Sequence, residues 1–339
     1  MKKIILAAMA FAAFTACVKE EVVTVNQETI AFENAFVDNA TKSVVDPSFT
    51  NTNLFKDFAV YGFVENAVLF NGTQVSKTID NDDLESAWKY AGTQYWIADA
   101  QYDFHAIAPM IGGGWTYNDV DSDATRTTLS FTNNGTTDLL YATAAQQGKV
   151  SGNEMVDFSF RHVLSKVKFS FKNAYNATNA TIRVKDITIT NPHKTADVVL
   201  NAATAWSNHA KAADFKLAFG MATDDEATDD KENVEVAYAF DNTYESQNEL
   251  FLIPSATNYE YEVTFNVELL VSGSVVKTYA HTVKAEFAPA PGNSYDIKAV
   301  INAENIDPEN EQEPIEFTVS TLSGWTTAAG VDAQYPQKN

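Results

Sequence analysis

Few side chains in this sequence have the types and spacing that catalysis or metal binding requires. Its five histidines are scattered along the chain, at His105, His162, His193, His209 and His281. None stands at the short interval from another histidine or a glutamate that zinc sites use. Asp119, Asp121 and Asp123 alternate as in a calcium loop, but Ala124 stands where that loop needs glycine. The sequence therefore predicts no enzyme, no metal and no cofactor.

Two other functions stay open at this point. Paired carboxylates could hydrolyse glycosides, but with 45 acidic residues no particular pair is indicated. Tryptophans could stack on sugars, although filling a core is the favoured interpretation. The five are Trp88, Trp96, Trp115, Trp206 and Trp325. A carbohydrate-binding surface protein and a hydrolase thus remain alternatives to a structural protein.

The only cysteine, Cys17, follows a segment typical of an exported lipoprotein. An apolar run from Ile4 to Phe14 comes after two lysines and is too short to span a bilayer. The small residues Thr15 and Ala16 then lead directly to Cys17. This order predicts a signal peptide at 1–16 and a lipid on the thiol. The alternative is an ordinary exported protein whose cysteine falls near the cleavage site by chance.

Composition limits the partners. The net charge of -22 disfavours nucleic acid and anionic lipid surfaces, so contact with a membrane is predicted only through the lipid anchor. Because there is one cysteine, no disulfide can form within the chain. Stability must come from packed apolar cores, for which the hydrophobic content of 45% suffices. The length allows about two domains.

Alternating apolar and polar residues predict strands over most of the chain. The clearest runs cover residues 58–63, 102–108, 163–171, 182–190, 259–271 and 274–287, the last two joined by a Ser-Gly-Ser hairpin signal. Helical patterns are few. Residues 80–92 and, more weakly, 202–215 are predicted to form short helices. The pattern as a whole predicts an all-β protein with strands at the spacing of β-sandwiches.

The C-terminal part combines a polar segment with one more strand. Residues 302–314 are acidic, contain two prolines and lack apolar periodicity, which predicts an extended tether. In the following strand Ile315, Phe317, Val319 and Thr321 share one face. This strand either folds back onto its own domain or reaches another molecule.

Several stretches together resemble the fimbrillin family, the type V pilins of Bacteroidetes-type bacteria. They are the leader ending at Cys17, ETIAFENAF at 28–36, NATKSVVD at 39–46, FAVYGF at 58–63, YWIADAQYDFHAIAP at 95–109, DLLYATA at 138–144, VDFSFRHVLSKVKFSF at 156–171 and the C-terminal strand leading to Trp325. The resemblance covers nearly the whole chain, and the stretch at 156–171 is the most distinctive.

This resemblance implies two tandem transthyretin-like β-sandwich domains and a C-terminal tail strand. The expected divisions are the signal peptide at 1–16, a propeptide with the first strand at 17–42, sandwiches at 43–152 and 153–305, and the tether and tail at 306–339. Lys19, Glu20 and Glu21 resemble the tag that directs lipoproteins of such bacteria to the cell surface. An outer-membrane lipoprotein displayed on the cell surface or in a fimbrium is expected.

The resemblance also implies an assembly route. A trypsin-like protease removes the N-terminal segment, for which Lys42 is the expected processing site. Before cleavage Ile30 and Phe32 plug a groove, which the strand at 315–321 of another subunit then fills. The implied partners are other fimbrial subunits, the protease and a host or bacterial surface receptor. The alternative is a surface lipoprotein that never polymerises and binds carbohydrate or a host ligand as a tip or anchor adhesin.

Overall fold

The computed structural model describes residues 28–37, 56–65, 67–77, 88–120, 127–200, 204–221, 237–309 and 313–322. Every regular element in these ranges is a β-strand, which confirms the all-β prediction. The strands are β1 (Phe32–Val37), β2 (Asp57–Val64), β3 (Ala67–Ser76), β4 (Lys89–Tyr90), β5 (Gln101–Ala108), β6 (Trp115–Val120), β7 (Thr127–Thr132), β8 (Leu140–Gln147), β9 (Val156–His162), β10 (Ser165–Asn173), β11 (Ala180–Ile189), β12 (His193–Leu200), β13 (Ala205–Lys211), β14 (Leu217–Phe219), β15 (Thr243–Glu245), β16 (Leu250–Leu252), β17 (Tyr259–Val271), β18 (Ser274–Phe287), β19 (Ser294–Ile301) and β20 (Thr318–Leu322). No helix in these ranges is long and apolar enough to cross a membrane.

The first sandwich is built on a seven-stranded sheet in the order β1-β9-β8-β5-β2-β3-β4. One face packs against a four-stranded sheet, β13-β12-β7-β6, through a core that includes Phe63, Phe131 and Val198. The other face carries a second, strongly aromatic core with Phe32 and Phe58 among its members. Because β2 and β5 alternate buried side chains toward both faces, their runs are apolar almost throughout.

The second sandwich pairs a sheet of order β15-β10-β19-β20, with β16 also on β10, with a sheet of order β14-β11-β17-β18. A single core lies between them, formed by alternate residues of the long strands such as Phe169, Phe171, Val263 and Phe265. The hairpin of β17 and β18 is paired along its full length, as the Ser-Gly-Ser turn predicts. The predicted architecture of two β-sandwiches is thus confirmed.

The sheets do not follow the expected boundary at 152/153. β9 pairs with β8 and β1, and β12 pairs with β7 from Thr195 opposite Thr132 to Leu200 opposite Thr127. Residues 156–162 and 193–211 therefore lie in the sheets of the first sandwich. Alternation tells which residues of a strand face inward, but it does not tell which sheet the strand joins.

One expected helix is a strand in the structure, and the other lies mostly outside the described residues. In place of the helix at 202–215, β13 forms an antiparallel pair with β12, so that prediction was wrong. In the described end of the helix predicted at 80–92, Lys89 and Tyr90 form β4 against β3. Pairing with a neighbouring strand overrides a weak local helical preference.

The acidic segment after β19 is held on the second sandwich over its described residues 302–309. Ile306 is buried in the core of that sandwich, and its carbonyl accepts a hydrogen bond from His281 Nε2 at 3.1 Å. Lys277 Nζ lies 3.1 Å from a carboxylate oxygen of Asp307. The expected extended tether is therefore anchored at its start.

Candidate functional site

The N-terminal segment is held in a slot at the edge of the seven-stranded sheet. β1 runs parallel to β9, with Phe32 opposite Val156. Just before β1, Thr29 forms an antiparallel bridge with Tyr95. The amide of residue 30 donates to the carbonyl of residue 94 at 2.8 Å, and the amide of residue 96 donates to the carbonyl of residue 28 at 3.0 Å. The segment thus has backbone partners in two different parts of the sandwich.

Ile30 and Phe32 fill this slot. Ile30 is 1% exposed and Phe32 is 2% exposed. The Phe32 ring is surrounded by five other rings at centroid distances of 5.6–6.3 Å, which belong to Phe58, Phe70, Tyr90, Phe104 and Phe158. Because four of these contacts are edge-to-face, the cluster has the geometry that aromatic pairs prefer. Removal of the segment would leave an aromatic cavity in the sheet face.

A carboxylate fixes the start of the segment. Glu28 Oε1 accepts a hydrogen bond from the amide of Gly152 at 2.7 Å. Glu28 Oε2 accepts from the amide and the side-chain Nδ2 of Asn153, at 2.6 and 2.8 Å. Gly152 has a φ of 71°, a conformation that favours glycine and turns both amides toward the carboxylate. These hydrogen bonds hold the pKa of Glu28 below its usual value.

The tail strand lies in the other sandwich. β20 pairs antiparallel with β19, from Thr318 opposite Lys298 to Leu322 opposite Ser294. In the described part of the chain, β19 is its only strand partner. The tail thus occupies a sheet edge, as β1 does.

The four residues expected on one face of the tail are buried to different degrees. Ile315 is 5% exposed and belongs to the core. Phe317 is half-buried and packs against Phe169, Phe171 and Phe265 at ring distances of 5.8–6.2 Å. Val319 is partly buried against the same core, and Thr321 is exposed.

The predicted site residues are therefore in separate places. Ile30 and Phe32 belong to the first sandwich, whereas Ile315, Phe317, Val319 and Thr321 belong to the second. Their expected roles stay predictions. The positions expected for lipid attachment, surface export and processing, Cys17, Lys19, Glu20, Glu21 and Lys42, lie outside the described residues.

The sequence analysis did not identify Glu28 or the turn that binds its carboxylate. Gly152 and Asn153 are a turn signal in the sequence, but nothing local shows that their amides face an acid 124 and 125 residues earlier. That pairing depends on β1 lying next to β9, which only the sheet topology reveals.

In the part of the chain that the structure describes, the side chains that could take part in catalysis or metal binding have structural partners. In the described ranges, no group of three or more His, Cys, Asp or Glu side chains could hold a metal ion. His105 Nδ1 lies 2.6 Å from the Tyr141 hydroxyl in the core, and His162 pairs with Asp138. The four described tryptophans, Trp88, Trp96, Trp115 and Trp206, pack in or against the two cores of the first sandwich. They do not form the exposed face that sugar stacking would need.

Comparison with known proteins decides the family. The model of the family described as fimbrillin-like matches residues 41–325. This chain belongs to the fimbrillin-like family.

One solved structure shows the fold of this fimbrillin-like protein again. It is similar to a fimbrial protein from Bacteroides vulgatus with 15% identity and a TM-score of 0.55, covering 88% of this chain and 99% of the other. It also matches the fimbrial anchor protein Mfa2 from Porphyromonas gingivalis with 12% identity and a TM-score of 0.35, covering 85% and 95%. No curated protein matches the fimbrillin-like sequence.

Proposed function

We propose that this fimbrillin-like protein is a structural subunit of a cell-surface fimbria. It is lipidated on Cys17 as a precursor, carried to the surface by the tag at Lys19, Glu20 and Glu21, and cut at Lys42 by a trypsin-like protease. The tail strand of another subunit then replaces the lost segment. The observation that carries this proposal is the segment 28–32, which is a separable plug of an aromatic core.

Removal of the segment 28–32 leaves an empty slot that can bind a strand of another subunit. Ile30 and Phe32 are almost fully buried, and their loss exposes apolar rings such as Phe58 and Phe158 to water. The edge of β9 also loses its backbone partner. Each apolar side chain that refills the slot contributes about 1.5–3 kcal/mol. Such a gain acts against the repulsion between acidic subunits, since the full sequence has a net charge of -22.

The tail has the features of a donor. It lies at the C-terminal side of the chain, pairs with β19 alone among the described strands, and keeps its central ring, Phe317, only half-buried. Moving it to another subunit therefore breaks the pairing with one strand and the contacts of Ile315 and Phe317 with one core. Because the donor and acceptor positions lie in different sandwiches, the contact is head-to-tail and extends to a filament.

A second function is favoured by a specific observation. The tail folds onto its own sandwich, where Ile315 enters the core. A subunit whose tail stays in its own second sandwich would act as a non-polymerising anchor or tip adhesin that binds carbohydrate or a host ligand.

Limited proteolysis separates the two functions. The unlipidated full chain is treated with a low dose of trypsin and run on a gel without boiling. We expect release of a segment ending at Lys42 and a ladder of oligomers. Phe317→Asp should abolish the ladder because a charge cannot enter the aromatic slot, whereas Thr318→Asp, on the exposed face, should preserve it.

Two results contradict the polymerising function. One is a clean monomer after complete cleavage, which supports the adhesin. The other is a persistent ladder with Phe317→Asp, which shows that the tail strand is not the donor. Far-UV circular dichroism of each uncut variant checks that the substitution leaves the sandwiches folded.

A further inference from the structure

The segment that plugs the slot and the tail share a sequence pattern. Residues 28–32 read Glu-Thr-Ile-Ala-Phe and residues 313–317 read Glu-Pro-Ile-Glu-Phe, so that Glu, Ile and Phe recur at the same spacing. We propose that the tail of a second copy takes the slot in this register and in the direction of β1. In this register Glu313 takes the place of Glu28, and its carboxylate binds the turn at Gly152 and Asn153. The inference rests on the proposed function.

The turn at Gly152 and Asn153 is a preformed binding site for a carboxylate. Three N–H donors from Gly152 and Asn153 meet the two oxygens of Glu28 at 2.6–2.8 Å. Asn153 is itself fixed, because its Oδ1 accepts from the amide of Lys149 at 2.7 Å and its Nδ2 donates to the Lys149 carbonyl at 3.0 Å. Glu28 precedes Lys42, so the proposed cleavage removes the ligand and leaves the donors in place. The site would then take a glutamate carboxylate from another chain.

The backbone bonds of the slot can all be made by the tail. Before the ladder of β1 with β9 begins, the slot uses the carbonyls of residues 28, 30 and 31 and the amide of residue 30. Residues 313, 315 and 316 supply the equivalent groups. Pro314, which has no N–H, would replace Thr29. Thr29 is flanked by the two bonds to residues 94 and 96, so it is the non-hydrogen-bonded member of its bridge and its N–H is not needed.

The side chains fit the same register. Ile315 and Phe317 have the types that Ile30 and Phe32 have at the two buried positions. Between them, Glu316 takes the place of Ala31, which is partly exposed. A shift by one residue would turn Pro314 and Glu316 into the aromatic core, where an unpaired carboxylate is costly. The pattern therefore excludes the registers shifted by one residue. Of the registers that keep the alternation, this one alone combines a glutamate at position 28 with apolar residues at positions 30 and 32.

A disulfide tests the register. The starting chain carries Cys17→Ser, so the only thiols are those introduced. Non-hydrogen-bonded cross-strand pairs lie about 4.5 Å apart between Cα atoms, within the range of a disulfide. In the uncut chain, Thr29→Cys with Tyr95→Cys should form an internal bridge, which calibrates the assay. After trypsin, Pro314→Cys with Tyr95→Cys should link neighbouring subunits of the ladder under mild oxidation. Trypsin leaves the tail whole because it has no Lys or Arg between Lys298 and Lys338.

The outcomes separate the inference from the proposed function. A ladder whose subunits are linked through 314 and 95 supports both. A ladder in which Glu313→Cys or Ile315→Cys links to Tyr95→Cys as well as or better than Pro314→Cys overturns the register and leaves the fimbrial function intact. If no ladder forms with any chain, the proposed function fails and the inference fails with it.

Neighbouring glutamates of the tail test the carboxylate site. Glu313→Gln should slow ladder formation about tenfold or more, because hydrogen bonds to a charged group are lost. Glu316→Gln is the matched control, with the same change of charge three residues later, and should polymerise like the parent chain. Equal rates for the two variants would show that the turn does not bind Glu313.

Discussion

The segments at 28–37 and 315–322, which contain the edge strands β1 and β20, both cover the edge of a core but are buried to different degrees. Each brings an isoleucine and a phenylalanine to the core of its sandwich. Phe32 is 2% exposed and contacts five rings, whereas Phe317 is half-buried and contacts three. The segment around β1 pairs with residues 94–96 and with β9, whereas β20 pairs with β19 alone among the described strands. The contrast predicts that the first sandwich depends on its own N-terminal segment more than the second sandwich depends on its tail.

Truncation of the two phenylalanines gives the largest expected effect. Phe32→Ala should lower the free energy of unfolding of the first sandwich by about 3–5 kcal/mol, the usual cost of removing a buried ring. Phe317→Ala should cost about half as much in the second sandwich, because its ring is half-buried. Urea unfolding followed by hydrogen exchange assigns each loss to its sandwich. Equal losses would remove the contrast between the two strands.

A smaller effect is expected where the two sandwiches meet. The His193 ring of β12 packs at a tilt against the rings of His209 and of Tyr259 in β17, at centroid distances of 4.3–4.7 Å. Burial, with the nearby charges of His209 and Lys211, lowers the pKa of His193 from its usual 6.5 to about 4. Between these values the unfolded chain binds a proton that the folded chain does not, so stability falls as the pH drops from about 6.5 to about 4.

The variant His193→Phe keeps the ring contacts and removes the titration. From pH 7 to pH 5 the parent chain should lose about 1–2 kcal/mol more free energy of unfolding than His193→Phe, allowing for solvent screening. Urea midpoints at the two pH values give the comparison. The same loss in both chains would show that other groups cause the acid sensitivity.

The smallest effect is expected for a substitution of Glu28, in the segment before β1. Glu28→Gln removes a charged acceptor from the turn at Gly152 and Asn153, so the cut segment should leave the slot faster. Since the pKa of Glu28 is lowered in the folded chain, its stabilising effect is present above the ordinary value of 4.5 and is lost as the pH falls through the folded pKa.

The rate of segment release after trypsin, measured by gel filtration, tests this expectation. Glu33→Gln is the matched control, because Glu33 lies in the same N-terminal segment, on β1, five residues after Glu28. Release at the same rate in both variants would show that the carboxylate does not hold the segment.

The part of the fold that follows from local alternation could be predicted. Alternation in ETIAF turns Ile30 and Phe32 to one face, and the structure buries both. The same argument gave the hairpin of β17 and β18 and the inward positions of Ile315, Phe317 and Val319 in the tail, whereas Thr321 is exposed.

The features that depend on distant pairing could not be predicted. The membership of β9 and β12 in the first sandwich follows from bonds to strands elsewhere in the chain. The turn that binds Glu28 is likewise brought to it from residues more than 120 positions later. The pairing of β13 with β12 converted a weak helical pattern to a strand. In each case the structure depends on a contact between residues distant in sequence, which the local pattern either does not encode or contradicts.

The interleaving of strands has a consequence for how the protein is made. The four-stranded sheet of the first sandwich, β13-β12-β7-β6, includes two strands that end only at Lys211. During synthesis these two strands follow β10 and β11, which belong to the second sandwich. The N-terminal half therefore cannot close by itself while the chain emerges. Its strands stay partly uncovered until β12 and β13 arrive, so the first sandwich is expected to close only after residue 211 has been synthesised.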